Sequence, residues 1–269
     1  MRVLTWNLWW RHGPWKPRLD AIAATLAEVA PDVCGLQEVW ADEDANLAAE
    51  LAERLEMHWC WAGRPPNLSW QREFGSHLLA GNAVLSRWPI AEQAEVPLPP
   101  TDDHPRLALH ARVETPAGSL PFFTTHFSHQ LGASAVRLAQ ARVLAGFVGT
   151  HATGHPLPPV VTGDLNAEPD SDELRLLGGM LTPPAVPGQV LVDAWRYADP
   201  DQPAAGLTWV RRNPYRATDP APDARIDHIL VGLPRDGLGR IVSARLAGHM
   251  PVADVWPSDH FAVVADLDA

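Results

Sequence analysis

Short apolar runs alternate with helix-periodic segments along this chain, and proline-rich connections separate them. Residues 2–6 read as a strand ending at Asn7. From Pro17 a 3.6-residue period places Leu19, Ile22, Ala23, Leu26 and Ala30 on one face, and Pro31 stops it. Residues 33–36 form a second buried strand that ends in Gln37-Glu38. A helix is expected over 46–55, with Leu47, Leu51 and Leu55 in register. Strands follow at 83–85, 107–113 and 120–125, the middle one alternating and so half exposed. Helix returns at 134–148, where Val136, Ala139, Val143 and Phe147 form the apolar stripe. After a strand that starts at Val160 and ends in Asp164 and Asn166 come a short helix at 171–177 and strands near 207–210, 226–231, 241–246 and 261–267.

Three long connections, at 97–105, 183–187 and 213–223, are rich in proline. Strands with polar ends lie on both sides of each, so they read as loops of one domain spanning 1–269 rather than as linkers. Many strands and few helices point to a layered α/β or α+β protein with stacked sheets, not a purely parallel doubly wound one.

Composition narrows this picture. A chain of 269 residues, 46% hydrophobic and 20% charged, can bury a sizeable core. No apolar stretch approaches the roughly 18 residues of a membrane span, and the first strand begins at once, leaving no room for a signal peptide. A cytoplasmic location without integral membrane association is therefore expected. Two cysteines, Cys34 and Cys60, are too few for a disulfide scaffold or a zinc cluster, and buried free thiols are expected. A net charge of −11 argues against non-specific coating of nucleic acid. It does not exclude a nuclease, because a bound divalent cation supplies local positive charge. Two basic groupings, Arg11/His12/Lys16/Arg18 and Arg211/Arg212/Arg216, read either as solvated loop charge or as the wall of a groove.

The candidate chemistry stands at strand ends. In Val160-Val-Thr-Gly-Asp-Leu-Asn166 an apolar run breaks at Gly163 and presents Asp164 and Asn166 one residue apart. Alternate residues of a strand share a face, so both are expected to point the same way where the strand leaves the core. A carboxylate and a carboxamide so placed suit a reaction that holds a water and a phosphate oxygen, or a hard metal ion. Asn7, Glu38, His126, Asp227 and Asp259-His260 occupy equivalent strand-end contexts. Any one of them is more often a turn former than a catalytic group; the set together is harder to dismiss. No Gly-x-Ser-x-Gly, phosphate-cradling Gly-x-x-x-x-Gly-Lys or His-Glu-x-x-His occurs. His126 and His129 lack a third soft ligand nearby, which disfavours zinc. His110 and His228 read as packing or supporting groups.

Thr5-Trp6-Asn7, Leu36-Gln37-Glu38, Gly81-Asn82-Ala83-Val84-Leu85-Ser86-Arg87, Thr124-Thr125-His126, Gly163-Asp164-Leu165-Asn166, Arg225-Ile226-Asp227-His228 and Ser258-Asp259-His260 occur in that order. The ordered set resembles the endonuclease/exonuclease/phosphatase superfamily, which includes DNase I-like nucleases, apurinic endonucleases, neutral sphingomyelinases and inositol-phosphate phosphatases. The resemblance implies a four-layer sandwich, two packed mixed β-sheets flanked by helices, with the site in the cleft where strand ends meet. It implies Mg²⁺, with Mn²⁺ as an alternative, on Glu38, aided by Asp259 and Asn7. Asp164 would orient or deprotonate the attacking water, and Asn166 would hold a phosphate oxygen. His260, positioned by Asp227, would act as acid/base or phosphate donor. His126 would stand near the leaving group, and Arg106 would contact the phosphate.

Substrate is less legible. Trp9, Trp10 and Trp15 follow Asn7 and either face substrate or cap the sandwich; with 12 tryptophans in the chain, capping is the commoner use. Trp209 and Asp193 match recurrent positions of the superfamily, in structural roles. Neither a lysine-rich DNA-binding loop nor a hydrophobic hairpin insertion is visible. The leading expectation is a Mg²⁺-dependent hydrolase of a small or lipid-derived phosphoester. The alternatives are a DNase I-like nuclease and a non-catalytic binding protein on the same scaffold.

Overall fold

The computed structural model describes residues 1–75, 77–100, 105–199, 201 and 205–269. Part of the proline-rich connection expected at 97–105 thus lies outside the described residues. Two six-stranded sheets form the centre. The first runs β11(Ile241–Ala247), β12(Ala262–Leu267), β1(Arg2–Asn7), β2(Val33–Ala41), β4(Leu79–Ser86), β3(His58–Arg64). The second runs β5(Ile90–Pro97), β6(Leu107–Thr115), β7(Gly118–His126), β8(Val160–Asp164), β10(Asp227–Gly232), β9(Leu191–Asp193). Each is mixed: β1 pairs parallel with β2 and β7 parallel with β8, while the other neighbours are antiparallel.

Burial on both faces explains why the central strands read as unbroken apolar runs. In β1, Val3 packs between the sheets, while Leu4 and Trp6 pack against α1(Trp15–Val29) and α2(Leu47–Leu55). The second sheet's outer face carries α4(Ser134–His151) and α5(Asp172–Gly178) over Phe123, Val161 and Leu230. The result is helix, sheet, sheet, helix: the four-layer sandwich expected from the resemblance.

Toward one end, the space between the sheets turns polar. Gln37 donates to Thr124 Oγ1 at 2.8 Å, and Thr5 and Thr162 are fully buried beside it. A Cβ on Gly35 would lie 2.0 Å from Thr162 Oγ1, so only glycine lets the sheets approach this closely.

Several expectations need correction. The buried face of α4 is Arg137, Gln140, Ala141, Leu144, Ala145 and Val148, not Val136, Ala139, Val143 and Phe147, which are half-buried. Arg137 goes inward because Glu173 meets its Nε at 3.1 Å, and Gln140 because it bonds Ser128. A polarity pattern cannot register such partners. The strand expected near 207–210 is reduced to isolated pairings of Trp209 with Ala224 and His260. β3, β5, β9 and α3(Leu68–Phe74) were not legible; β5 is an edge strand alternating half-buried and exposed residues, and α3 buries no residue fully.

Candidate active site

Register brings the strand-end groups together. On the second sheet His126 lies opposite Asp164 across the parallel β7/β8 pair, and Asp164 opposite Asp227 across the antiparallel β8/β10 pair. Three candidates thus stand in one row. The first sheet contributes Asn7 at the end of β1 and, beside it, Glu38, which lies inside β2 rather than at its expected end, because the strand resumes at Val39 and runs to Ala41. Glu38 sits at a β-bulge, where the β2/β4 register shifts between Leu36 and Val39, and its φ of +52° is left-handed. Bulges of this kind re-aim a side chain. Here the glutamate turns into the cleft.

The two rows are laced together. Asn7 Nδ2 donates to Asp164 Oδ2 at 3.0 Å and to Glu38 Oε1 at 3.3 Å, and Asn7 Oδ1 accepts from the Trp9 amide at 2.9 Å. The carboxamide therefore presents its nitrogen to the carboxylates, and any metal bond through its oxygen would share that atom with the Trp9 N–H. His126 Nε2 lies 3.3 Å from Asp164 Oδ2, while its Nδ1 lies 2.9 Å from Arg106 Nη1. Arginine only donates, so Nδ1 accepts and Nε2 carries the proton directed at Asp164. His260 Nδ1 meets Asp227 Oδ2 at 2.9 Å, and its Nε2 lies 3.8 Å from Asp164 Oδ2.

Asn166 departs from the expected strand alternation. β8 ends at Asp164, and Asn166 has φ +47° with its backbone N–H on Asp164 Oδ1 at 3.0 Å. That local turn swings its amide to the Phe127 carbonyl at 3.1 Å, although the residue still lines the cleft. Arg106, His126, Asp164, Asn166, Asp259 and His260 all border the same cleft of about 960 Å³.

Electrostatics separate the roles. Burial raises Asp164 to about 7, reinforced by Asp227 and opposed by His260 and the Asn7 bond. Burial also raises Asp259 to about 6 against the pull of His260. For His260 burial works the other way, but Asp227, Asp259 and Asp164 outweigh it and hold the imidazole well above its usual value. A cationic imidazole thus stands among carboxylates too crowded to ionise together. Groups whose environments drive their protonation apart are what acid/base chemistry near neutral pH requires.

The donor set also suits a hard cation. Glu38 Oε2 and Asp227 Oδ1 are buried without a hydrogen-bond partner. An unpartnered buried carboxylate oxygen is costly unless something positive meets it. Glu38 and Asp259 face each other closely enough for Glu38 to raise Asp259, as two anions sharing one site do. Asp164, Asp227 and His260, with ligand atoms within 4.8 Å of one another, form a further group able to hold a metal.

Some supporting residues escaped the sequence reading. Ser258 Oγ donates to the Asn7 carbonyl at 2.6 Å and accepts from the His260 N–H at 3.2 Å, tying the two metal-side loops together. Arg18, expected either as solvated loop charge or in the wall of a groove, is neither: it is 1% exposed. Its guanidinium donates to the carbonyls of Leu8, Trp9, Trp10, His12 and Pro257, at 2.8–3.0 Å. An Arg18→Met variant is expected to lose on the order of 2–5 kcal/mol of stability, since several buried carbonyls lose a charged donor. Urea unfolding measures it; an unchanged midpoint would show that the carbonyls are satisfied without the guanidinium.

Of the remaining basic residues, His12 borders the cleft, Lys16 lies over Trp15 and Arg212 over Phe261. Arg11 pairs with Asp42 at 2.6 Å, Arg211 pairs with Asp223, and Arg216 is buried, stacked on Trp209 and bonded to carbonyls. Trp10 is core, with its Nε1 on the Leu79 carbonyl. Trp9 lines the cleft and stacks on Tyr215 at 4.6 Å; Trp15 packs edge-on against Trp40. Asp193, held well below the usual carboxylate range by His228 and Arg225 in spite of burial, braces the segment behind Asp227.

Comparison with known proteins agrees with this geometry. Residues 4–260 match the model of the endonuclease/exonuclease/phosphatase family. A 94-residue stretch, 34% of this chain, is 34% identical to a Drosophila melanogaster protein provisionally named a neutral sphingomyelinase, of which it spans 19%. An endonuclease/exonuclease/phosphatase protein of Beutenbergia cavernae superposes over the whole chain and 71% of its own length, at 25% identity and a TM-score of 0.73. The human nocturnin catalytic domain with bound sulfate superposes over the whole chain and 94% of its own length, at 18% identity and a TM-score of 0.74.

Proposed function

Because the chain belongs to the endonuclease/exonuclease/phosphatase family, whose members are phosphoester hydrolases, we propose that it is a Mg²⁺-dependent hydrolase of a small or lipid-derived phosphoester, acting through residues 1–269 as one domain. The observation that carries this reading is the row His126, Asp164, Asp227 with His260 bonded to Asp227 at 2.9 Å, beside the unpartnered Glu38 oxygen. Glu38 and Asp259 would hold the cation, which when bound neutralises charge on the phosphate oxygens. Asp164 orients a water and accepts its proton, a task suited to a carboxyl raised to about 7. Protonated His260, held by Asp227, donates to a phosphate oxygen as negative charge builds there. His126, fixed by Arg106, directs its Nε2–H into the same space, where it would donate a hydrogen bond to a leaving oxygen as charge builds there. Asn166 and Arg106 border the cleft as further phosphate donors.

Two features favour a small or lipid-derived ester over a nucleic acid. The arginines Arg11, Arg18, Arg211 and Arg216 are engaged elsewhere, as described, and the cleft is walled by Trp9, Trp70, Pro65, Pro66 and Leu131, of which Leu131 is 71% exposed. The similarity to the Drosophila protein points the same way. The test compares hydrolysis of plasmid DNA, a chromogenic phosphodiester and a phospholipid-headgroup panel, with and without Mg²⁺, using His260→Ala as control. Metal-dependent cleavage of the small or lipid esters alone is expected. Metal-dependent nicking of DNA, lost in the control, would replace this reading with a nuclease.

A further inference from the structure

A second cluster of ligating groups lies on the outer face of the second sheet. Glu92 stands on the edge strand β5, His110 on its neighbour β6, and His151 is the last residue of α4, which crosses that face. One ligand atom from each lies within 4.8 Å of the other two. A register shift in β5 between Ile90 and Glu92 puts Glu92 opposite Arg112, two pairs along from Ala94 opposite His110. Glu92 therefore shares the α4-facing side with His110.

His110 is the anomalous member. It is 1% exposed, yet neither ring nitrogen has a hydrogen-bond partner. A buried imidazole normally satisfies at least one nitrogen, since each bare one forfeits the hydrogen bond it would make to water. Phe123 flanks its ring at 4.8 Å and Phe147 at 6.2 Å, and neither supplies an acceptor. The ring that lies closest is His151, centroid to centroid 4.5 Å.

We propose that Glu92, His110 and His151 form a surface site for a borderline divalent transition-metal ion, zinc foremost, distinct from the hard-cation centre of the cleft. Two imidazoles and a carboxylate are the donor set such ions prefer, and closing them onto bonds of about 2.0–2.2 Å requires side-chain movements on the order of an ångström. Burial, with His151, His155 and Arg112 nearby, holds His110 down to about 3, so the imidazole is neutral and no proton competes there. Arg112 Nε now lies 3.4 Å from Glu92 Oε2; on binding, the cation takes that place and Arg112 keeps its second partner, Glu114. His155, bonded to Ser119 Oγ at 2.8 Å, borders the cluster without entering it. Because Glu92 is exposed, a water completes the shell and the ion exchanges with solvent. Bound metal ties an otherwise open edge strand to the sheet and to the end of α4.

The test is zinc uptake by the full chain, followed by equilibrium dialysis and thermal melting in excess Mg²⁺. Wild type and Glu38→Ala are expected to bind zinc at this site and melt at a higher temperature with it. His151→Ala, a change at a partly exposed position, and His110→Phe, which keeps the ring packing, are expected to lose that uptake and that melting shift. Their affinity should fall by more than the about 10- to 100-fold that follows loss of an outer-sphere partner. Equal uptake by wild type and His151→Ala, no uptake by wild type, or uptake lost only in Glu38→Ala would each overturn the assignment. The outcome is independent of whether the cleft hydrolyses phosphoesters.

Discussion

Replacing His260 with alanine is expected to lower kcat on the preferred phosphoester by about 10²- to 10⁴-fold, the range over which a positioned acid or base contributes. His260 is 5% exposed and bonded through Nδ1 to Asp227, so its Nε2 points into the cleft toward Asp164. Its surroundings hold it protonated. The variant removes that proton and leaves three carboxyls without their cation. Asp227→Asn is the informative companion. It keeps the shape of the pair but weakens the grip on the imidazolium, so activity should fall and the alkaline limb of the pH profile should move to lower pH. Single-turnover rates with circular dichroism as a folding check separate chemistry from unfolding. A folded His260→Ala protein with wild-type turnover would remove the histidine from the mechanism.

Glu38→Ala is expected to abolish the response to Mg²⁺ altogether. One oxygen of the glutamate is buried without a partner, and the carboxylate couples directly to Asp259. Without it, Asp259 no longer repels a neighbouring anion, and the pair that could bind a divalent ion becomes a single acid. Two readouts should move together. Hydrolysis should stop rising with added Mg²⁺, and the Mg²⁺-induced increase in melting temperature of the wild type, which follows from binding to the folded state alone, should disappear. Persistence of that melting shift in the variant would place the ion on other groups, such as the Asp164, Asp227 and His260 set.

Most of the residues that meet in the candidate site could be picked out in the sequence because they stand at strand ends, Glu38 alone lying inside its strand at a bulge. A strand's apolar run and its polar terminus are both local, so Asn7, Glu38, His126, Asp164 and Asp227 could be picked out one at a time and assembled through an ordered resemblance. The architecture was legible for the same reason: central strands bury both faces and leave long apolar runs. What stayed hidden depends on partners far along the chain. Arg18 looked like loop or groove charge because its acceptors are main-chain carbonyls, which carry no side-chain signature. The inward face of α4 was misread because Arg137 and Gln140 are paired by Glu173 and Ser128. Asn166 was expected to follow strand alternation, but the turn that Asp164 itself caps rotates it away. Edge strand β5 and helix α3 bury little and so leave a weak pattern.

The backbone around the cleft has a consequence for how this protein can change. Trp9, Trp10, Glu38 and Asn166 all adopt positive φ, at +56°, +38°, +52° and +47°. For non-glycine residues such conformations cost on the order of 1–3 kcal/mol each. Trp9, Trp10 and Glu38 are thus not the side chains their backbone would choose, whereas Asn166 is a residue that tolerates it, and the rest of the sandwich must supply the reserve that holds the other three there. Selection for heat resistance alone would gain at Trp9 and Glu38 by drifting toward glycine or asparagine, and would deliver a sturdier protein stripped of part of its cleft. Some of the stability this molecule could most simply acquire lies, on that reasoning, where it can least spare the change.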